Sequence, residues 1–224
     1  MLKRMLLGAV AILLVIAATY GSFYVAPTER TMGLIQRIFY FHVASAWAAM
    51  DAFAVCFVCN LLYVWKRNAK FDWLAVSSAE VGLVLTTVVL ITGPIWAHPV
   101  WGIWWTWDAR LTSTFVLWLL YVSYLLLRTL IEEPDRKALL SSLFGIFAFL
   151  DVPLVFGAIR WWRTQHPSPV IMGGPGSGLE PTMKKVLFFF VFAMHVFALF
   201  LIVERYVLEK LKNDVDVLQR EAEA

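Results

Sequence analysis

The sequence predicts an all-α fold: a single membrane bundle of six transmembrane helices over residues 1–224, with both termini in the cytoplasm. Of the 224 residues, 61% are hydrophobic and only 16% are charged. This composition is typical of a polytopic membrane protein and not of a soluble globular domain. Six apolar segments each reach the roughly 20 residues that a helix needs to cross a bilayer, and together they occupy most of the chain.

Each apolar segment predicts a helix, because a backbone in lipid has to satisfy its own hydrogen bonds. The segments are also too long for the strands of a membrane β-barrel. The first follows Lys3 and Arg4, as in a signal peptide, but it is long and lacks a convincing cleavage site, so we expect an uncleaved span. The six predicted spans are about 5–26, 43–65, 74–97, 111–131, 138–159 and 186–208.

The distribution of Lys and Arg predicts the orientation. If the N-terminus is cytoplasmic, seven of the 19 basic residues fall in outer segments and the other twelve in inner segments. The outer seven are Arg30, Arg37, Arg110, Arg160, Arg163, Lys184 and Lys185. Because basic residues accumulate on the cytoplasmic side, this orientation is the favoured one.

The second outer loop, about residues 97–110, is the most distinctive segment. Pro94 and Pro99 are expected to end the helix before it, and five tryptophans fall within residues 96–107. Tryptophan suits a membrane interface, but a cluster this dense also forms a flat aromatic surface. Neighbouring His and Arg residues could ligate a metal and hold anions. The loop therefore favours a site for a large planar ligand that contains a metal.

The four histidines differ in predicted depth. His42, His98 and His166 lie at the outer face, whereas His195 lies in the middle of the last span. Alone, each is more often a packed or solvated polar residue. Two neutral imidazoles approaching from opposite faces would nevertheless suit haem iron. His166 belongs to the third outer loop, about residues 160–185, which continues into a Gly-rich stretch.

Four outer arginines could hold carboxylates through their planar fork of donors, although ordinary interfacial snorkelling is an equal alternative. They are Arg37, Arg110, Arg160 and Arg163. Asp108, two residues before Arg110, is interpreted as an organiser of the loop and not as an acid catalyst.

Other polar residues interrupt the spans. Asp51, Glu80 and Asp151 are expected to face the bundle interior, because ionisable groups are costly in lipid. Cys56 and Cys59 form a C-x-x-C without the following His of a covalent haem attachment site, so packing is the better interpretation. The sequence has no phosphate-binding Gly-Lys-Ser/Thr motif, which assigns any ATP hydrolysis to another chain.

Three segments in order carry a family resemblance. Residues 101–112, WGIWWTWDARLT, resemble the tryptophan-rich WWD signature of haem-handling membrane proteins of cytochrome c maturation. Residues 37–47, RIFYFHVASAW, are similar to the first histidine segment of that family. Residues 152–156, VPLVF, followed by 161–166, WWRTQH, are similar to the second. The length and the order of the motifs resemble the haem exporter protein C branch, and the likeness covers essentially the whole chain.

The resemblance implies a site for haem b, held noncovalently at the periplasmic face of the bacterial inner membrane. It implies His42 and His166 as the axial ligands of the iron. His98 departs from the family pattern and is left open as a third candidate. The haem-binding residues that we assign on this basis are Trp101, Trp104, Trp105, Trp107, Asp108, Arg110, Trp161 and Arg163.

The resemblance also implies a role in transfer without catalysis of a reaction by this chain alone. Haem would pass to a periplasmic haem chaperone, and this protein could orient the haem for covalent attachment there. The implied complex contains the ATPase and membrane subunits of an ABC transporter and a small single-span protein. The alternatives are a haem-dependent membrane oxidoreductase and a structural subunit without a ligand.

Overall fold

The structure is a computed structural model that describes residues 1–166, 171 and 178–223. Over these residues it is helical, without a named strand. Its helices are α1 (Leu2–Tyr20), α2 (Ile38–Lys66), α3 (Ala69–Trp101), α4 (Ala109–Leu130), α5 (Pro134–Phe149), α6 (Asp151–Trp161) and α7 (Pro181–Glu223). Most of the predicted Gly-rich stretch lies outside the described residues.

The six predicted spans are confirmed as six helical segments long and apolar enough to cross a membrane: Leu2–Val25, Leu34–Lys66, Ala69–Trp101, Ala109–Leu130, Pro134–Trp161 and Pro181–Ala222. Helices α5 and α6 form one crossing that is interrupted at Leu150. Pro153 contributes to this break, since it has no N–H for the carbonyl four residues earlier. Because six is an even number of crossings, the start of the first span and the end of the last span lie on the same side of the membrane.

Local sequence explains where several helices begin. The side chains of Asn68, Asp108 and Glu133 accept backbone N–H bonds at the starts of α3, α4 and α5, respectively. Such caps satisfy donors that have no partner within the helix. Pro134 then occupies the first turn of α5, where its missing N–H costs nothing.

Two predicted boundaries are wrong. Pro94 and Pro99 do not end α3, which continues to Trp101, because neighbouring helices and local adjustments make proline tolerable within a membrane helix. Gly102 ends it instead, with a φ of 74° that glycine adopts readily. The non-helical part of the Trp-rich loop is therefore 102–108. Likewise, α7 continues well beyond the predicted span 186–208 and runs to Glu223.

Helices α2 and α3 form the centre of the bundle. One buried cluster joins them to α1 and α7, with Tyr40 and Phe190 fully buried. A second joins them to α4, α5 and α6 through Phe53 and Tyr121, whose rings stack with centroids 3.7 Å apart. We call the end of the bundle that carries His42 and the Trp-rich loop the outer end.

The polar residues within the spans behave differently from one another. Glu80 is half-buried and forms an ion pair with Arg205 of α7, and Asp151 is buried. The expectation that Asp51 faces the interior is wrong, because its side chain is 72% exposed. Cys56 and Cys59 are buried free thiols, which confirms their interpretation as packing residues.

Candidate functional site

His42 lies in the second turn of α2, and its ring is held by α3. Its Nδ1 is 2.9 Å from the hydroxyl oxygen of Thr92. That hydroxyl donates its single proton to the carbonyl of Val88 at 2.7 Å, so its oxygen accepts from His42 Nδ1. The imidazole is therefore the Nδ1–H tautomer, and Nε2 keeps a free lone pair. A second hydrogen bond of this kind orients metal-binding histidines.

A glycine makes room for this ring. A Cβ added at Gly93 of α3 would lie 3.4 Å from Cε1 of His42, at the close limit of ordinary van der Waals contact. The absence of a side chain there lets α3 approach the imidazole closely.

His166 follows α6, and a hydrogen bond ties its segment to the Trp-rich loop. The backbone N–H of Gln165 donates to Asp108 Oδ2 at 3.2 Å. The same carboxylate oxygen accepts from the hydroxyl of Thr106 at 2.8 Å. Its other oxygen caps α4 by accepting from the N–H groups of Arg110 and Leu111. Asp108 thus connects three segments, as the interpretation of this residue as a loop organiser requires.

Two neighbouring cavities meet between these segments. The inner cavity, about 90 Å³, reaches down between α2 and α3 to Met50 and Thr86. The outer cavity, about 1200 Å³, extends to the loop at 27–32 and the start of α7. Five residues line both cavities: His42, Trp96, Trp101, Arg110 and His166. The two histidines, far apart in sequence, therefore share one wall with the aromatic cluster and one arginine.

The assigned aromatic residues divide into two groups. Trp101, Trp104 and Trp105 line the inner cavity. Trp107 lines neither cavity and packs edge-on against Trp105, with centroids 5.6 Å apart. Trp161 also lies outside both cavities and packs against its exposed neighbour Trp162.

Sequence reasoning missed two neighbours of His42. Trp96 is buried, lines both cavities, and has its ring centroid 6.5 Å from that of His42. Its membership of the Trp-rich segment was the available signal. The sequence offered no such signal for Thr92, since only the packing of α3 on α2 brings its hydroxyl to the imidazole.

Two cavity-lining indole nitrogens have no hydrogen-bond partner in the part of the chain that the structure describes. The Nε1 atoms of Trp96 and Trp105 are buried and have no hydrogen-bond acceptor among the residues that the structure describes. A buried donor without a partner costs free energy. Both are available to an acceptor group of a ligand in the inner cavity.

The outer arginines have different roles. Arg37 is buried and donates to the carbonyls of Ser22 and Ala26, so it joins the end of the first span to the second. Arg110 donates to the carbonyl of Val155 at 2.6 Å and still faces both cavities. Arg160 lines the outer cavity. Arg163 is exposed and lines neither of the cavities described above.

Two carboxylates at the margin of the outer cavity are held by local turns. The backbone N–H of Met32, with further bonds from Thr31, lowers the pKa of the Glu29 carboxyl, because donors favour its charged form. At the start of α7, the N–H groups of Thr182 and Met183 lower the pKa of Glu180 in the same way.

The other two histidines lie apart from this wall. The ring of His98 stacks on Trp104 at 4.2 Å and lines neither of the two cavities. His195 lies in α7, where Nε2 is 2.9 Å from Asp51 Oδ2. Neither is placed opposite His42 in the part of the chain that the structure describes.

The Asp108 network supports a prediction. In Asp108→Asn, one amide oxygen can still cap α4, but the amide nitrogen cannot accept from Gln165. Losing a hydrogen bond to a charged group costs about 1.5–3 kcal/mol. We therefore expect a ligand held by the cavities to dissociate roughly tenfold faster or more. The amount of protein in the membrane should be normal. The rate is measured by transfer of the bound ligand, which the family resemblance implies to be haem, to an excess of an apo-haem-binding protein.

Glu133→Gln is the matched control for Asp108→Asn, since Glu133 caps α5 in the same manner at the opposite end of the bundle. Equal dissociation rates in Asp108→Asn and the unmodified protein would show that the tether between the loops has no role in retention.

Comparisons with known proteins agree with the family resemblance that the three sequence motifs indicate. The family model described as heme exporter protein C matches residues 2–221. The chain is 30% identical over 174 residues to the heme exporter protein C of Bradyrhizobium diazoefficiens, covering 78% of this chain and 66% of that protein. It is 32% identical to the Escherichia coli protein of that name, covering 81% and 74%. For the Rhodobacter capsulatus protein the identity is 32%, with 70% and 66% covered. The matched region thus spans about two thirds to three quarters of these relatives' lengths.

Proposed function

The chain belongs to the heme exporter protein C family, and from that premise we propose that it holds haem b noncovalently at its outer end and delivers it to a periplasmic haem chaperone during cytochrome c maturation. The observation that carries this proposal is the shared cavity wall. His42 and His166 line the same two cavities, together with Trp96, Trp101 and Arg110.

His42 and His166 would ligate the iron from its two faces. Neutral imidazole is a good ligand for haem iron, and the Thr92 hydroxyl already selects the tautomer of His42 that has a free Nε2. The Asp108–Gln165 hydrogen bond holds the second histidine segment beside the Trp-rich loop. Both ligands would therefore be positioned before the haem arrives.

The walls of the cavities suit the rest of a haem. Trp101, Trp104 and Trp105 offer aromatic surface to the macrocycle, and the indole N–H groups of Trp96 and Trp105 can donate to its polar groups. Arg110 lines both cavities and can hold a propionate, because a guanidinium matches a carboxylate bidentately. Trp107, Trp161 and Arg163 remain predicted contacts outside these walls.

Delivery would take place through the outer cavity, which is bordered by loops and lies next to the iron ligands. A chaperone approaching there meets the haem edge without entering the bundle. This chain would hold and orient the haem for covalent attachment to the chaperone. The implied partners are the ATPase and membrane subunits of an ABC transporter and a small single-span protein.

The direct test is the absorption spectrum of the purified protein. We expect a Soret band with the visible bands of six-coordinate, bis-histidine haem. A protein that carries no haem after expression with adequate haem supply would contradict the proposal. A haem that is reduced by quinol and turns over would favour the oxidoreductase alternative instead. Haem-dependent oxidoreductases of this kind place paired histidines on facing helices in the core of the bundle. Here the mid-span histidine, His195, pairs with Asp51 instead.

The orientation makes a separate prediction. Thr106→Cys, in the Trp-rich loop, and Ser168→Cys, outside the described residues, are expected to react with a membrane-impermeant thiol reagent from the periplasm. Lys70→Cys at the inner end is the control and should react only after permeabilisation. Native Cys56 and Cys59 are buried, so background labelling is low. Labelling of Thr106→Cys only from the cytoplasmic side would place the site at the cytoplasmic face of the membrane and contradict the proposed orientation.

A further inference from the structure

An ionisable pair lies on the outside of the bundle, halfway through the membrane. His195 Nε2 of α7 is 2.9 Å from Asp51 Oδ2 of α2, and the Asp51 side chain is 72% exposed. Asp51 is near the middle of α2 (Ile38–Lys66), about 20 Å from either end at 1.5 Å per residue. Ionisable residues at this depth almost always face protein or a water-filled cavity.

The hydrogen bonds of the pair define what it can offer to a neighbour. His195 Nδ1 lies 2.7 Å from the carbonyl of Val191, which can only accept, so Nδ1 carries a proton. The second proton lies between Nε2 and Asp51 Oδ2, on one atom or the other. All of the donors of the pair are therefore already used in these two hydrogen bonds.

One acceptor remains. Asp51 Oδ1 has no hydrogen-bond donor among the described residues, and lipid tails supply none. Leaving a carboxylate oxygen without a donor in hydrocarbon is unfavourable. The missing group is therefore a hydrogen-bond donor, presented at mid-membrane depth.

The surface around the pair is apolar and follows two helices. On α2, Val55 and Val58 are exposed one and two turns after Asp51. On α7, Phe192 and Leu199 are exposed one turn before and after His195. Residues three, four and seven positions apart lie on one helix face, so the two rows flank the pair as a continuous seam that a third helix can fill.

We propose that this seam binds a transmembrane helix of a different protein, which places a hydrogen-bond-donating side chain such as Ser, Thr, Asn or Gln against Asp51. Interhelical hydrogen bonds of this kind stabilise contacts between membrane helices. A second copy of this chain is a poorer occupant. In a symmetric dimer the two pairs would face each other, and each presents only acceptors. The seam involves none of the residues that line both cavities, so it is independent of the haem site.

The test uses a photoreactive amino acid at Val55 in the full-length protein, irradiated in native membranes. We expect an adduct whose cross-linked peptide, identified by mass spectrometry, is an apolar transmembrane segment of another protein that contains a donor side chain. Asp51→Leu should lower the adduct yield roughly threefold to tenfold, the range that one interhelical hydrogen bond gives. Asp51→Asn should keep it, because its amide oxygen still accepts while its amide nitrogen donates to His195.

Two controls separate this surface from the haem site and from lipid-facing helices in general. The same photoreactive residue at Val116, exposed on α4, should give no such adduct. Haem content should be unchanged in Asp51→Leu, so a loss of the adduct cannot be ascribed to a damaged site. The proposal is overturned by adducts with lipid alone, by an adduct of two 25.6 kDa chains, by a cross-linked segment without a donor, or by equal yields in Asp51→Leu and the unmodified protein.

Discussion

His42→Ala and His166→Ala are each expected to remove most of the haem that co-purifies with the protein and to abolish loading of the chaperone. Each substitution deletes one of the two imidazoles on the shared cavity wall, so at most one axial ligand remains. The loss in affinity should exceed the roughly 10–100-fold that follows removal of a group that only orients a ligand. Haem content is measured by absorption and pyridine haemochrome at matched membrane levels of protein.

Thr92→Val is the variant of this experiment for which we expect an intermediate loss of haem affinity. It keeps His42 but removes the hydroxyl that accepts from Nδ1, so we expect haem affinity to fall roughly 10–100-fold, less than in His42→Ala. The imidazole would then be free to rotate and to adopt the other tautomer. Added imidazole should partly restore the six-coordinate spectrum of His42→Ala, since the deleted ring leaves space beside Gly93.

His195→Ala is the control for these ligand variants, because His195 pairs with Asp51 away from the cavities. It should retain the spectrum of the unmodified protein. Normal six-coordinate haem and full chaperone loading in both His42→Ala and His166→Ala would show that the ligand assignment is wrong. Loss of haem from folded His195→Ala would instead show that His195, away from the cavities, contributes to haem binding.

The second large effect concerns the aromatic wall. Replacing Trp104, Trp105 and Trp107 together by Ala should weaken haem binding roughly fivefold or more, because the two cavity-lining rings, Trp104 and Trp105, contribute aromatic contacts of about 0.5–1.5 kcal/mol each beyond buried area. Insertion into the membrane should be normal, since residues 102–108 lie outside the helices. The measurement pairs haem content with covalent loading of the chaperone.

Trp107→Ala alone is the internal control for the triple substitution. This side chain is 73% exposed and lines neither cavity, so the single variant should lose much less haem than the triple variant. If the triple variant kept both haem and chaperone loading, the cluster would serve only as an anchor at the membrane interface. Equal loss of haem in the single and triple variants would instead place the macrocycle against Trp107.

Much of the fold could be predicted from the sequence because the deciding properties are local. A segment of about 20 apolar residues forms a membrane helix whatever its neighbours are, so all six spans were found. Asp108 was recognised as a loop organiser from its place beside Arg110. His42, His166 and the tryptophans stood out because their residue types are informative without their partners.

Tertiary structure alone decided which face of each helix packs against protein and which residues of other helices it contacts there. The spans are apolar on nearly all faces, so their pattern does not distinguish a side that faces protein from one that faces lipid. Asp51 was therefore expected inside and lies outside, and Pro94 and Pro99 continue a helix that they were expected to end. The Thr92–His42 hydrogen bond and the Asp108–Gln165 tether join residues distant in sequence. Such contacts depend on how whole helices pack, and no local pattern encodes them.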